Sequence, residues 1–212
     1  MIDSLGFRRK FGVIAPATNT SVQPEFDAMR PHGVTNHFAR IHIPDDPIKD
    51  NADFDLLMQS IRKELMFAID RVMTCRPQNV IMGMSAETFW DGLAGSKVFQ
   101  QRCEERAGVS VAMGSDACQA ALRRYGSIRR ISVITPYMPI GDDNVRKFFT
   151  DCGFEVVHVK GLKCRSPVQI AHVSEKELRD AIGEVNDGSV EAVVQVGTNL
   201  AMARLAGIPE FW

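Results

Sequence analysis

Short apolar runs bounded by Gly, Pro or Asn alternate along this chain with longer stretches whose apolar residues recur every three or four positions. Runs of the first kind read as buried strands and stretches of the second as amphipathic helices. The pattern predicts strands at Phe11–Ala15, His37–Ile43, Asn79–Gly83, Val109–Met113, Arg130–Thr135, Glu155–Lys160 and Ala192–Val196. Helices are predicted at Pro24–Met29, Phe54–Met73, Ser96–Ala107, Ala117–Tyr125, Gly141–Cys152 and Glu175–Asn186, with a further one beginning near Asn199. Ser174 followed by Glu177 reads as a capping box, in which hydroxyl and carboxylate satisfy free N–H groups at a helix start. Strands separated by helices pair in parallel, so the fold class is α/β.

The chain also repeats itself. Gly12-Val13-Ile14-Ala15-Pro16 resembles Ser132-Val133-Ile134-Thr135-Pro136, and Val80 to Ser85 resembles Val194 to Asn199 in polarity and in the placing of glycine. The separation from Pro16 to Gly83 is 67 residues and from Pro136 to Gly197 is 61. Two pseudo-symmetric parallel-sheet lobes follow, the first spanning residues 1–128 and the second 129–212, with a cleft between them. After Gly83 the first copy continues through a loop, helix, strand and helix, whereas only fifteen residues follow Gly197. The second lobe therefore reads as incomplete at Ile208-Pro209-Glu210-Phe211-Trp212, through a shortened chain or a deletion.

Composition narrows the partners. The 25 basic and 26 acidic residues nearly cancel, leaving a formal net charge of −1 and no electrostatic footprint for nucleic acid or an anionic membrane. The apolar run after Phe7-Arg8-Arg9-Lys10 is too short for a signal-peptide core or a membrane span, so the default location is cytoplasmic. Five scattered cysteines without a C-x-x-C pair indicate neither a disulfide framework nor a zinc site. No Gly-rich phosphate loop and no metal-ligand spacing of histidines appears, so no metal and no cofactor is expected.

In open α/β sheets, ligands bind beyond the carboxyl ends of the strands. The chain places polar, uncharged loops there: Pro16 to Ser21, Gly83 to Thr88, Pro136 to Pro139, and Gly197-Thr198-Asn199. Hydroxyls, amides and glycines of this kind suit an anion held by many neutral donors. The same residue types also serve turns and helix caps, so one such loop would mean little; four on one sheet edge mean more.

Pro16-Ala17-Thr18-Asn19-Thr20 resembles the opening Pro-Ser-x-Asn-Thr loop of maleate isomerases. Met82-Gly83-Met84-Ser85 with Phe89-Trp90-Asp91-Gly92 resembles the Met-Gly-Thr-Ser and Phe-Tyr-Arg-Gly segment of arylmalonate decarboxylases, and Thr135-Pro136-Tyr137 resembles the start of the second lobe in both. The order and spacing hold from Phe11 to about Met202, so the chain resembles the aspartate/glutamate racemase superfamily, in its arylmalonate decarboxylase and maleate isomerase branch. That resemblance implies a cofactor-independent lyase or isomerase acting on a small carboxylate or dicarboxylate, assembled as a homo-oligomer. It assigns Asn19 and Thr20 to one substrate carboxylate. Ser85, Tyr137 and Thr198, with Gly83, Met84, Gly197 and Asn199, would surround the other carboxylate or the developing enediolate charge. Tyr137 also reads as an ordinary buried tyrosine at the lobe interface.

The departure from the family is as informative. Relatives place catalytic cysteines where this chain reads Gly83-Met84-Ser85 and Gly197-Thr198, and no thiol stands in either. Two-base racemisation and thiolate attack therefore lose their usual groups, so racemisation of aspartate or glutamate is not expected. Decarboxylation needs no base, because leaving CO2 itself generates the enediolate. Candidate replacement acids or bases are Glu87 and Asp91, against solvated or capping roles, and Cys118 and Cys164, against buried structural thiols. Cys118 falls in the predicted first helical turn, where the macrodipole would lower its pKa. Arg204 would neutralise a carboxylate or point to solvent. Two alternatives stay open: a hydrolase or hydratase directing water with a loop carboxylate, and a non-catalytic carboxylate-binding protein.

Overall fold

The computed structural model describes residues 3–207 and carries two parallel sheets. In the first, β1 (Arg9–Pro16) lies between β2 (Val34–Ile41) and β3 (Asn79–Met82), and β4 (Val111–Ala112) pairs with β3, giving the order β2-β1-β3-β4. In the second, β5 (Arg130–Thr135) lies between β6 (Glu155–Gly161) and β7 (Ala192–Gln195), in the order β6-β5-β7. Every pairing is parallel. The central strands β1 and β5 thus occupy equivalent places, as do β2 with β6 and β3 with β7, while β4 has no counterpart among the described residues. The expectation of a truncated tail at residues 208–212 lies outside the described residues.

The helices α1 (Val22–Met29), α2 (Asn51–Met73), α3 (Gly92–Ala107), α4 (Gly114–Arg124), α5 (Pro139–Asp151), α6 (Glu175–Val185) and α7 (Ala203–Ala206) cover the sheets. Several boundaries differ from the sequence expectation for local reasons. Helix α2 begins three residues earlier than Phe54 because the Asp50 side chain accepts the Ala52 and Asp53 N–H groups at 2.9 and 3.0 Å. The edge strand β4 keeps two of the five residues expected for it: Glu104 accepts the Val111 N–H and Gln100 donates to the Val111 carbonyl, so α3 side chains take its outer polar groups. The last helix starts at Ala203, after a turn in which the Leu200 N–H reaches the Gly197 carbonyl at 3.0 Å. The Ser174–Glu177 capping box opens α6 as the sequence indicates.

One core runs through both lobes. The stripe Phe54, Met58, Ile61, Leu65, Ala68, Ile69 and Val72 buries one face of α2 against the first sheet. Phe89, from the 3₁₀ turn Ala86–Phe89 after β3, packs edge-on against Phe148 of α5 at a centroid distance of 5.0 Å and lies 5.7 Å from Phe149. Burial of that ring contributes about 2–3 kcal/mol, and it locks the first lobe onto the second. A second cluster, Leu178, Ala181 and Val185 of α6 with Leu200, Met202 and Leu205, covers the other face of β5. No described helix is long and apolar enough to cross a membrane.

Polar contacts fasten the same seam. Asn199 Oδ1 accepts the Thr20 and Ser21 N–H groups at 3.0 and 3.3 Å, its Nδ2 donates to the Pro167 carbonyl at 3.1 Å, and its carbonyl accepts the Ser21 hydroxyl at 3.0 Å. Behind the loop that follows β5, the Thr135 hydroxyl donates to Asp142 and accepts the Tyr137 N–H at 3.0 Å. Burial raises the Asp142 carboxyl to about 6.

Two outcomes follow. Asn199→Ala takes the partner from the Thr20 N–H and from the Pro167 carbonyl, while the Ser21 N–H keeps Asn19 Oδ1, and it should cost about 1–2 kcal/mol in a denaturant titration. Asp142 binds its proton more tightly when folded than unfolded, so its contribution is full below about pH 4 and is lost as pH rises through about 6. Asp142→Asn, neutral throughout, should therefore gain stability relative to the parent between pH 4 and 7, on the order of 2 kcal/mol; a pH-independent difference would refute the assignment.

Candidate active site

The four polar loops foreseen at the strand ends meet in one place. In the first, the Asn19 N–H closes a turn onto the Pro16 carbonyl at 3.1 Å. Asn19 Oδ1 accepts the Ser21 and Val22 N–H groups at 3.1 and 2.9 Å, starting α1, while its Nδ2 donates to Thr198 Oγ1 across the lobes at 3.0 Å. In the second, Thr88 fixes Ser85 by bonding its carbonyl with both N–H and hydroxyl, at 2.9 and 2.7 Å. Ser85 Oγ lies 2.7 Å from the Tyr137 hydroxyl and accepts the Thr198 N–H at 3.3 Å. Thr198 Oγ1 in turn donates to the Gly83 carbonyl at 2.9 Å. The Met84 N–H has no hydrogen-bond partner among the described residues.

Two glycines allow this closeness. Gly197 has φ +114°, and a Cβ there would stand 2.6 Å from Pro136 Cδ. A Cβ at Gly141 would stand 2.7 Å from Cβ of Tyr137. Neither position accepts a side chain without moving the loop that carries Tyr137.

These loops form the polar end of a cleft between the lobes, part of which opens to solvent. Its other wall is apolar: Ile43, Ile48, Phe54, Leu57, Met58 and Ile61 from the first lobe face Met138 and Ile170 from the second. The segment bearing Ile43 and Ile48 is tied across the lobes, with the Ile48 N–H on the Arg165 carbonyl at 2.6 Å and Asp45 accepting the Val168 N–H at 2.9 Å. Phe54 stands between Trp90 and Tyr137, at centroid distances of 5.9 and 5.5 Å. Among the described residues no charged side chain lines the cleft. Burial pushes the Tyr137 phenol up and the Cys164 thiol up to about 11, so both stay neutral at pH 7. The arrangement offers neutral polar groups at one end and an apolar wall at the other, which suits an anion with an apolar substituent.

Of the residues singled out from sequence, Asn19, Met84, Ser85, Tyr137, Cys164, Gly197, Thr198 and Asn199 line the cleft, and Gly83 lies directly behind it. Five others do not. Thr20 is exposed and contributes only its N–H to the Asn199 clasp. Glu87 is buried against α2, where Oε1 accepts from Arg62 Nε at 2.5 Å and Oε2 has no partner; burial raises its pKa, with Arg62 opposing. Asp91 is exposed at φ +58°, ahead of α3. Cys118 sits in the second turn of α4, because that helix starts at Gly114 rather than Ala117, and burial raises its thiol to about 11 instead of the macrodipole lowering it. Arg204 is exposed and paired with Glu175 at 2.9 Å. The apolar wall was missed as a functional feature, since Phe54, Leu57, Met58 and Ile61 repeat at the spacing of any core-facing helix. No group of three or more His, Cys, Asp or Glu residues able to hold a metal occurs among the described residues.

A search of curated proteins found no match to the sequence. Among solved structures, the chain is similar to a maleate cis-trans isomerase mutant of Nocardia farcinica with a covalently bound succinylcysteine intermediate. That match has TM-score 0.83 and 15% identity, over 96% of this chain and 84% of that one. It is similar to a maleate isomerase of Pseudomonas putida solved with maleate, with TM-score 0.78 and 16% identity over 92% and 84% of the two chains. It also matches unliganded arylmalonate decarboxylase, with TM-score 0.62 and 17% identity over 96% of each chain. At these identities the likeness is one of fold. The sequence itself matches the arylmalonate decarboxylase family over residues 12–204, a span that takes in both sheets and all four polar loops, and the chain therefore belongs to that family.

Proposed function

We propose that this protein is a cofactor-independent lyase that decarboxylates a small malonate-type diacid bearing an apolar substituent, and that it is not a two-cysteine racemase. The observation that carries this reading is the polarity of the cleft, neutral donors at one end and an uncharged apolar wall at the other. An arylmalonate presents the matching pattern, two carboxylates on one carbon beside an apolar ring. One carboxylate sits against Ser85, Tyr137 and Thr198, and the substituent lies against Phe54, Leu57, Met58 and Ile61. The second carboxylate, held in apolar surroundings, leaves as neutral CO2. The bond between it and the α-carbon breaks, its electron pair passes into an enediolate, and the hydroxyls with the Met84 N–H stabilise the developing oxyanion.

A proton must then return to the α-carbon. Of the protic side chains lining the cleft, Cys164, at about 11, is more acidic than Tyr137, whose phenol is pushed up further by burial. Cys164 gives its proton to carbon and recovers one from solvent, while Tyr137 stays a hydrogen-bond donor. The positions of Glu87 and Asp91 outside the cleft weigh against a hydrolase or hydratase that directs water with a loop carboxylate.

The test is release of CO2 from phenylmalonate and 2-methyl-2-phenylmalonate in deuterated water, with deuterium appearing at the α-carbon of the product. Tyr137→Phe should lower kcat by about 10²–10³, as for loss of one oxyanion donor. Cys164→Ala should lower kcat by about 10²–10⁴ with little change in KM; an unchanged kcat would move the proton donor to Tyr137. L-aspartate and L-glutamate should gain no α-deuterium. A protein that binds phenylmalonate but releases no CO2 would instead be a carboxylate-binding protein.

A further inference from the structure

Arg40 lies near the carboxyl end of β2, half-buried, in the run Phe38-Ala39-Arg40-Ile41. All its partners are neutral. Nη1 donates to the carbonyls of Pro16 and Asn19 at 3.3 and 2.9 Å, Nη2 donates to Gln23 Oε1 at 2.6 Å, and Cζ stands 5.2 Å from the Phe38 ring centre. The acidic residues of the adjoining α1 are engaged elsewhere. Glu25 accepts the Ala203 N–H at 3.2 Å, and Asp27 accepts from Asn36 and pairs with Arg30 at 3.9 Å. Among the described residues no carboxylate forms an ion pair with Arg40. Desolvation is the cause that lowers its pKa, and a guanidinium remains charged even so.

A half-buried cation without a counter-ion is costly and needs a reason. Its place supplies one. The two carbonyls it grips belong to the turn whose Pro16, Thr18 and Asn19 line the cleft, so the guanidinium stands directly behind that wall. It draws the negative ends of two peptide dipoles backward, away from the ligand, and adds a positive potential to a cleft whose own lining is uncharged. We propose that Arg40 supplies the positive charge of this anion site from behind its wall, so that a bound carboxylate becomes its missing counter-ion across one layer of backbone. Arg40 is then a positioning and specificity residue that separates an acid from its neutral isostere. The inference rests on the carboxylate site proposed above.

The experiment compares dissociation constants of phenylacetate and its uncharged isostere phenylacetamide by calorimetry, at low and high salt, for the parent protein, Arg40→Gln and Arg40→Lys. The parent should prefer the acid, and the preference should shrink in salt. Arg40→Gln should weaken phenylacetate about tenfold, leave phenylacetamide unchanged and remove the salt dependence. Arg40→Lys, which keeps the charge but not the planar fork, should retain the acid-over-amide ratio to within about threefold, and it carries the test if the Gln variant fails to fold. Equal weakening of both ligands would overturn the proposal, leaving Arg40 a purely structural brace of the turn. So would a Lys variant that folds yet loses the ratio. A parent protein that binds neither phenylacetate nor phenylmalonate would overturn the carboxylate site itself and this inference with it. A parent that binds both, with Arg40→Gln unchanged, would overturn the inference alone.

Discussion

The polar ends of two parallel sheets face each other across a seam where Asn19, Ser85, Tyr137 and Asn199 are buried, and the groups there satisfy one another. Buried N–H and C=O groups without partners cost more than most single contacts contribute. The loops meet that requirement across the lobes: Asn19 with Thr198, Ser85 with Tyr137 and Thr198, and Asn199 with the whole of the first turn. The cleft, the helix starts and the docking of one lobe on the other all inherit their geometry from these bonds. A ligand entering the polar end exchanges some of these internal bonds for its own, on loops whose course the remaining bonds already fix.

Much of this architecture was legible in the sequence. Seven strands lie where apolar runs sit between breakers, and the repetition around Pro16 and Pro136 matches the equivalence of β1 and β5. The convergence of Asn19, Ser85, Tyr137 and Thr198 follows from their places at strand ends, because a parallel sheet gathers its carboxyl ends on one edge. What stayed hidden depends on side-chain direction. Periodicity marks Phe54, Leu57, Met58 and Ile61 as one face of a helix but cannot say that part of this face borders an opening. Glu87, one residue beyond the cleft-lining Ala86, turns toward α2 because the 3₁₀ turn rotates it there. For Cys118 the helix starts three residues earlier than the pattern indicates and burial outweighs the dipole, which leaves the structural-thiol alternative. Nothing in the pattern singles out Arg40, whose significance lies in partners distant along the chain.

The two walls of the cleft are coupled. Arg62, held by Glu87, lies over the Trp90 ring at 5.7 Å, Trp90 packs on Phe54, and Phe54 packs on Tyr137. A half-buried ion pair, two rings and the tyrosine thus form one continuous stack from α2 to the polar loops. The apolar wall therefore shapes more than the space for a substituent, since the rings that line it also set the angle of the phenol.

Gly197 bears on how such a site changes over evolutionary time. Its positive φ and the closeness of Pro136 exclude any side chain at that position while the Tyr137 loop keeps its course. Ser85 and Thr198 already carry side chains at ordinary backbone angles, so a substitution there costs hydrogen bonds rather than the course of the loop. At 197 a thiol, or any other reactive group, has no single-step route; the proline on the opposing loop has to change in company with it. The two positions form a linked pair, and a lineage or an engineered library that samples one at a time never reaches that corner of sequence space.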